Sequence, residues 1–300
     1  MPRSLLGIEP LNPRQIMDFL KLAKTMNPAR PRNTLRGRRV ALLFYENSTR
    51  TRTSFEIAAK ALGATTVVIH ASSTSVEKGE SLKDTGLTLR SIVDAIVVRH
   101  PSSGSPNLLD RVLGIPIINA GDGMHEHPSQ GLLDAFTILQ HKKSLKGLKI
   151  VTIGDIFHSR VARSDAHLFT KLGAEVVFCG PEVLLPDTAA ALAPGIKIQR
   201  DMDEAIRDAD VVMMLRVQQE RLAGLQIVVD EYVRRYQLTA QRLKQAKKDA
   251  IVMHPGPMIR GMEMTDDVAD CGQSVVLEQV LNGVKVRMAI LETLLGRRRK

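Results

Sequence analysis

The chain has 300 residues, of which 44% are hydrophobic and 25% charged, an ordinary mixture for a folded globular protein long enough to form two domains. No apolar run reaches the length of a membrane span, the first residues lack the apolar core of a signal peptide, and two cysteines do not indicate a disulfide framework, so we expect a cytoplasmic protein. Lysine and arginine outnumber aspartate and glutamate by 42 to 32, which favours anionic partners. With aromatic residues at only 3%, small phosphorylated or carboxylated molecules are better candidates than nucleic acid.

Apolar runs of strand length alternate with helical stretches along the chain, which predicts an α/β fold with parallel sheets. Helices are predicted from Asn12 or Pro13 to Lys24, from Pro128 to Gln140 and from Ser274 to Leu295. The predicted strands cover residues 40–45, 65–69, 94–98, 115–119, 149–154, 175–179, 197–199, 211–215 and 251–253.

A polar break near His141 to Gly147 separates the first run of alternating elements from the second. We therefore predict two domains, residues 1–143 and 144–300, each a parallel β-sheet flanked by helices. The C-terminal helix, about residues 284–300, is expected to pack back across the joint onto the first domain.

Ser48, Thr49, Arg50, Thr51 and Arg52 stand between a predicted strand and a predicted helix. The first N–H groups of a helix lack partners inside the helix, and hydroxyls and guanidiniums beside them complete a set of donors suited to phosphate. An ordinary helix cap followed by a solvated arginine pair is the alternative reading at this point.

Polar residues also follow other predicted strands. Arg99 follows one strand, and His127 and Gln130, three residues apart at a helix start, follow the next. A capping or turn histidine is the structural alternative. A metal site at His125 and His127 is another, weakened because no further Cys or His cluster supplies a third ligand at the usual spacing. In the second half, Arg160 and Arg216 follow two strands, as a dicarboxylate would require.

Together these motifs resemble the catalytic chain of aspartate carbamoyltransferase. The matching segments span the chain in family order: Ser48-Thr49-Arg50-Thr51-Arg52, Lys78-Gly79-Glu80, Arg99-His100-Pro101, His127-Pro128-Ser129-Gln130, Arg216-Val217-Gln218 and His254-Pro255-Gly256-Pro257. Several are shared with ornithine carbamoyltransferase. The segment after Leu215, and the absence of the ornithine family's Asp-x-x-x-Ser-Met-Gly and His-Cys-Leu-Pro patterns, favour aspartate.

The resemblance implies an enzyme that transfers the carbamoyl group of carbamoyl phosphate to aspartate, an early step of pyrimidine synthesis, without metal or cofactor. It implies catalytic roles for Arg50, Thr51, Lys78, Arg99 and His127. The carbamoyl phosphate-binding residues would be Ser48, Thr49, Arg50, Thr51, Arg99, His127, Gln130, Pro255, Gly256 and Pro257. The aspartate-binding residues would be Ser75, Lys78, Arg160, Arg216 and Gln218.

The resemblance also implies a homotrimer, in which the loop with Ser75 and Lys78 enters the neighbouring subunit's site, and a cis Gly256–Pro257 bond. A regulatory chain or a dihydroorotase are further expected partners; nucleic acid and membrane are not. Gln219, Val161 and Ile259 depart from the commoner family pattern, which bears on aspartate affinity more than on reaction type.

Three other functions stay open from the sequence. One is a carbamoyltransferase for another amine, such as ornithine, and one is a non-catalytic scaffold, against which the intact Arg50 and His127 argue. The third is a Rossmann-type dehydrogenase, suggested by Gly154 and Asp155 after a strand, although the chain lacks a Gly-x-Gly-x-x-Gly motif.

Overall fold

The computed structural model describes residues 2–70, 80–217 and 229–296. The chain divides into two compact units, Met1–Phe136 with Val280–Lys300, and Thr137–Gln279. Each unit contains one parallel sheet with helices, so the predicted α/β fold is confirmed. In the described part of the chain, no helix combines the length and apolar character needed to cross a membrane.

The first unit is built on a four-stranded sheet in the order β2-β1-β3-β4. β1 and the first four residues of β3 are buried apolar runs, as expected where helices cover a parallel sheet, with only Arg39 of β1 exposed. The edge strand β2 is more open, and its Val67 and Val68 are exposed. The elements are α1 (Pro13–Lys24), β1 (Arg39–Phe44), α2 (Thr49–Ala61), β2 (Thr65–His70), α3 (Leu82–Arg90), β3 (Ala95–His100), α4 (Ser105–Leu113), β4 (Ile117–Asp122) and α5 (Pro128–His141).

The N-terminal segment adds a short parallel pairing at the edge of this sheet. The Leu5 N–H donates to the Ile117 carbonyl at 2.9 Å, and the Asn119 N–H donates to the Leu5 carbonyl at 2.8 Å. Leu5 and Ile8 are fully buried. The first residues of the chain are therefore part of the sheet's packing.

The second unit is built on a five-stranded sheet in the order β7-β6-β5-β8-β9. Its core packs Tyr232 and Tyr236 among aliphatic residues and methionines. The elements are β5 (Lys149–Ile153), α6 (Arg160–Lys171), β6 (Glu175–Cys179), β7 (Lys197–Gln199), α7 (Met202–Ile206), β8 (Val211–Met214), α8 (Val229–Tyr236), α9 (Ala240–Leu243), β9 (Ile251–Met253) and α10 (Asp266–Ala269), with 3₁₀ turns at Glu182–Leu184 and Asp187–Leu192. The last helix, α11 (Val276–Leu295), begins in this unit, and its residues from Val280 onward belong to the first unit.

Both sheets have a point where the strand order reverses, between β1 and β3 in the first unit and between β5 and β8 in the second. Ligands of open α/β sheets bind at such points, beyond the carboxyl ends of the strands. The turn from β1 into α2 begins at the first of these points. The turns after β5 and β8 begin at the second.

Two strands end two or more residues later than the sequence indicated. β3 continues through Arg99 because Arg99 pairs with Phe44, and β4 continues to Asp122 because His100 pairs with it after an irregularity in the ladder. Arg99 is therefore a strand residue and not the start of a loop. The division into compact units falls inside α5, and α11 (Val276–Leu295) lies within two residues of the helix predicted from Ser274 to Leu295.

Gly154 allows the close approach of the two central turns of the second unit, which gives a stability prediction. Its φ is +129°, and a Cβ there would lie 3.1 Å from the Leu215 carbonyl oxygen. We expect Gly154→Ala to lower the free energy of unfolding by about 1 to 3 kcal/mol in urea titrations. Gly272→Ala is the control, since a Cβ at Gly272 meets nothing within 4 Å. Equal stability of the two variants would contradict the prediction.

Candidate active site

The first helix turn after β1 gathers the hydroxyl residues of the predicted phosphate site. Ser48 is the N-cap of α2 in an extended conformation, and Thr49, Arg50 and Thr51 form the first turn of that helix. Arg50 is exposed and Thr51 is buried. The amides of a helix's first turn have no acceptor within the helix, and the helix dipole is positive there. This end of the first unit is therefore suited to an anion.

Thr51 and His127 are brought together although they are far apart in sequence. The Thr51 hydroxyl lies 3.5 Å from His127 Nε2, and the Ser129 hydroxyl lies 3.5 Å from His127 Nδ1. The His127 side chain is buried at the start of α5. Because α2 and α5 begin at the same edge of the sheet, an imidazole and the anion-binding turn share one location.

Arg99 reaches the same edge from the end of β3, held by a residue to which the sequence assigned no role. Its Nε donates to Glu46 Oε2 at 3.0 Å, and the guanidinium is only 16% exposed. Glu46 belongs to the turn that carries Ser48. An ion pair through Nε fixes the plane of the guanidinium, so its remaining N–H groups are directed in advance.

Gln130 is oriented by Asp134, a residue that sequence reasoning missed. Its Nε2 donates to both carboxylate oxygens of Asp134, at 3.0 and 3.2 Å. Asp134 in turn lies near Arg287 of α11. The Arg287 guanidinium is over the Phe55 ring, 5.1 Å from its centroid. Burial lowers the pKa of Arg287 to about 10, and the nearby Asp134 carboxylate opposes this effect. The Nε2 group of Gln130 thus donates to Asp134, and the side-chain oxygen of Gln130 can accept a hydrogen bond from another group.

His125 has partners different from those of His127. Its Nδ1 lies 3.1 Å from Asp122 Oδ2, and hydrogen bonding to Asp122 raises the pKa of His125. Burial alone would raise the pKa of Asp122, but hydrogen bonds from His125, Gly104 and Asn119 hold it below its ordinary value. The two imidazoles are therefore engaged separately, His125 with Asp122 and His127 with Thr51 and Ser129.

In the second unit, Arg160 and Arg216 occupy the turns after β5 and β8, the two strands that flank the reversal of strand order. Arg160 is the first residue of α6, whose N-cap Ser159 accepts a hydrogen bond from the Ala162 N–H at 3.1 Å. Arg216 is exposed. The sequence predicts Arg160 and Arg216 after two strands. In the structure their backbones follow β5 and β8, which are adjacent in the sheet.

Glu263, a residue that sequence reasoning missed, links two of the predicted binding segments. This fully buried carboxylate accepts hydrogen bonds from the Val217 N–H at 3.1 Å and from the Ile259 N–H, and its Oε2 lies 3.7 Å from His254 Nε2. Gly256 donates to His254 Nδ1 at 2.8 Å. Glu263 thereby ties the segment after Arg216 to the segment around Gly256. The Gly256–Pro257 bond is cis, so that prediction is confirmed.

Three predicted aspartate-binding residues, Ser75, Lys78 and Gln218, lie outside the described residues, as does Gln219.

Both halves of the chain match family models. Residues 3–140 match the carbamoyl phosphate-binding domain of aspartate/ornithine carbamoyltransferases, and residues 146–294 match their aspartate/ornithine-binding domain. The protein belongs to the aspartate/ornithine carbamoyltransferase family.

Among relatives, the chain is 64% identical to the aspartate carbamoyltransferase catalytic subunit of Koribacter versatilis (strain Ellin345), over 99% of this chain and 98% of that protein. Among solved structures, it resembles the ornithine carbamoyltransferase of Pyrococcus furiosus (32% identity, TM-score 0.88, covering 99% and 98% of the two chains). It also resembles the aspartate transcarbamoylase of Trypanosoma cruzi solved with carbamoyl aspartate and phosphate (31% identity, TM-score 0.87, covering 98% of this chain and 96% of that chain).

The Asp122–His125 pair gives a pH-dependent stability prediction. Because the pKa of His125 is raised on folding, its contribution is complete below the unfolded pKa of about 6.5 and is lost as the pH rises through the folded pKa. We therefore expect the free energy of unfolding of His125→Gln to fall below wild type at low pH and to approach it at alkaline pH. Urea titrations between about pH 5.5 and 8.5 measure this difference. A difference that grows with pH would contradict the assignment.

Proposed function

We propose that this protein transfers the carbamoyl group of carbamoyl phosphate to the α-amine of L-aspartate, giving N-carbamoyl-L-aspartate and phosphate. The observation that carries the proposal is the convergence of Thr51, His127 and Arg99 on one edge of the first sheet. A helix N-terminus, hydroxyls and a preset guanidinium suit a phosphate, and an imidazole beside them suits the adjoining carbonyl.

In the reaction, the amine lone pair attacks the carbamoyl carbon, and negative charge develops on the carbonyl oxygen. Thr51, His127 and Arg99 donate hydrogen bonds to that oxygen. The C–O bond to phosphate then breaks, and the phosphate can accept the proton that the amine gives up. Gln130, whose Nε2 is engaged by Asp134, accepts a hydrogen bond from the carbamoyl amide with its oxygen, together with backbone carbonyls around Gly256. Positioning and oxyanion stabilisation supply the catalysis, and no nucleophilic side chain is required.

Aspartate is favoured over ornithine as the acceptor because the second unit offers guanidiniums at its two central strand ends. Arg160 and Arg216, with Gln218, would bind the two carboxylates of aspartate, whereas the side-chain amine of ornithine would call for acidic groups. Relatives named aspartate carbamoyltransferase catalytic subunits, at 64% and 55% identity, support this choice.

We further infer that the protein works in the cytoplasm as a homotrimer and serves pyrimidine synthesis. Ser75 and Lys78 would reach the site of the neighbouring subunit, so that each complete site needs two chains. A regulatory chain or a dihydroorotase is a candidate for larger assembly.

The direct test offers the purified protein carbamoyl phosphate with aspartate, ornithine or putrescine in separate reactions. We expect carbamoyl aspartate and phosphate in equal amounts, and no product with the two other amines. Carbamoylated ornithine without carbamoyl aspartate would replace the proposal with the ornithine reaction. A lack of turnover with every amine would favour a non-catalytic scaffold.

Arg216→Ala tests the aspartate half. Loss of a charge-assisted hydrogen bond to a carboxylate should cost about 2 to 4 kcal/mol in kcat/KM for aspartate, with carbamoyl phosphate binding nearly unchanged. Arg207→Ala, which removes an exposed arginine that precedes the same strand and pairs with Glu204, should leave both constants at wild-type values. A loss mainly in carbamoyl phosphate affinity would refute the role of Arg216.

Hybrid trimers test the shared site. If Arg50 serves its own chain and Lys78 serves the neighbour, Arg50→Ala and Lys78→Gln homotrimers should both be nearly inactive. Random reassembly of equal amounts should restore roughly a quarter of the sites. With Lys78 acting in its own chain, mixing would restore nothing, and with Lys78 idle, the Lys78→Gln protein would be active before mixing.

A further inference from the structure

We propose that Glu126 is a positioning residue for His127, and that it acts by tying the turn before His127 to the N-terminal segment of the chain, residues 4–9, here called the N-terminal strut. The inference rests on the proposed function, because it assigns His127 a part in the reaction. It adds residues that lie outside the substrate-binding motifs: Glu126 itself and the strut residues Gly7, Ile8 and Glu9.

The contact that carries the proposal is a buried carboxylate with backbone donors on both oxygens. Glu126 is 1% exposed, its Oε2 accepts a hydrogen bond from the Ile8 N–H at 2.7 Å, and its Oε1 accepts one from the Glu9 N–H at 3.1 Å. A buried N–H or carboxylate without a partner is costly, so these three groups hold one another in place.

The first half of the N-terminal strut, residues 4–6, is anchored to α4 and to β4. The Ser4 hydroxyl donates to Asp110 Oδ1 at 2.5 Å, and Leu5 pairs with β4. The Asn119 side-chain amide donates to the Leu6 carbonyl at 2.8 Å. The strut is thus fixed to the strand that leads into the His127 turn.

Glu126 is also fixed through its own backbone. Its N–H donates to Asp122 Oδ1, and its carbonyl accepts from the Asp122 N–H, both at 3.2 Å. The backbone of residue 126 is held by the end of β4 and its side chain by the strut, so little freedom is left at the peptide that joins it to His127. Placement of the imidazole beside Thr51 then depends on this double attachment.

Gly7 makes the close approach of the strut possible. A Cβ at this position would overlap the Glu126 carboxylate, with Cδ only 2.9 Å away, and it would displace that side chain from its two donors. A methyl group on the strut should therefore disturb the His127 turn from the opposite side without changing any charge.

The test compares two variants of the contact with matched controls. Glu126→Gln keeps the size of the side chain but presents an amide donor to one backbone N–H. Asp94→Asn makes the same chemical change at the other end of the sheet, where Asp94 accepts hydrogen bonds from the Arg39 N–H at 2.8 Å and from Arg38 at 3.0 Å. Gly7→Ala keeps the carboxylate charge, which matters because a Glu9 carboxylate oxygen lies within 4.8 Å of Glu126. Its control is Gly272→Ala.

We expect Glu126→Gln and Gly7→Ala to lower kcat about ten- to a hundredfold, while KM for aspartate changes less than about threefold, because a displaced oxyanion donor weakens the transition state more than the ground state. The two controls should keep kcat within about twofold of wild type. Unchanged kcat in the two test variants would overturn the proposal, and so would an equal fall in Asp94→Asn and Gly272→Ala.

Amide hydrogen exchange separates this proposal from the proposed function, because it needs no turnover. Exchange at residues 127–131 should accelerate in Glu126→Gln and Gly7→Ala and stay at the wild-type rate in the controls. If the wild-type protein transfers no carbamoyl group, the proposed function fails and the exchange rates alone decide whether the strut holds the turn. Exchange that is unchanged in both test variants would overturn the positioning role even in an active enzyme.

Discussion

Buried carboxylates that accept backbone N–H groups hold the turns on which the candidate site is built. The turns beyond the carboxyl ends of parallel strands leave amides without partners in the sheet, and a buried amide needs an acceptor. Asp122 accepts from Gly104, Glu126 from Ile8, and Glu263 from Val217 and Ile259. Asp122 and Glu263 each accept from two separate segments, and Glu126 accepts from two adjacent residues near the N-terminus, Ile8 and Glu9. Each turn is thereby fixed to a distant part of its own unit.

The two units differ in how their arginine side chains are held. In the first unit, Arg99 is mostly buried and held by Glu46, and Arg287 is buried over the Phe55 ring. In the second, Arg216 is exposed, and what is fixed is the backbone next to it, through Val217 and Glu263. Under the proposed function, the phosphate and carbonyl groups thus meet donors that are oriented in advance, while the acceptor amino acid meets a long side chain extending from a fixed backbone.

The sequence predicts the fold well because nearly every strand is a short apolar run followed by a helix. The strand-to-helix turn that carries Ser48 to Thr51 was also predictable, since an apolar strand followed by hydroxyl residues and a helical repeat marks such a junction. The extension of β3 through Arg99 was not, because it depends on pairing with Phe44 in another strand. Glu46, Asp134 and Glu263 were missed for a related reason: a buried carboxylate acquires its role only from partners that folding brings near, some of them distant in sequence.

Under the proposed function, the orientation of the Gln130 amide implies a preference among acyl phosphates. With its Nε2 engaged by Asp134, Gln130 presents an oxygen, which can pair only with a donor. A carbamoyl group supplies an N–H, whereas the methyl group of acetyl phosphate supplies none and would leave that oxygen desolvated and unpaired. Sites built to hydrogen-bond a substrate group reject analogues that lack it far more strongly than shape alone allows. Under the proposed function, Asp134, which need not touch the substrate, would thereby make the pocket discriminate between an amide and a methyl group of nearly the same size.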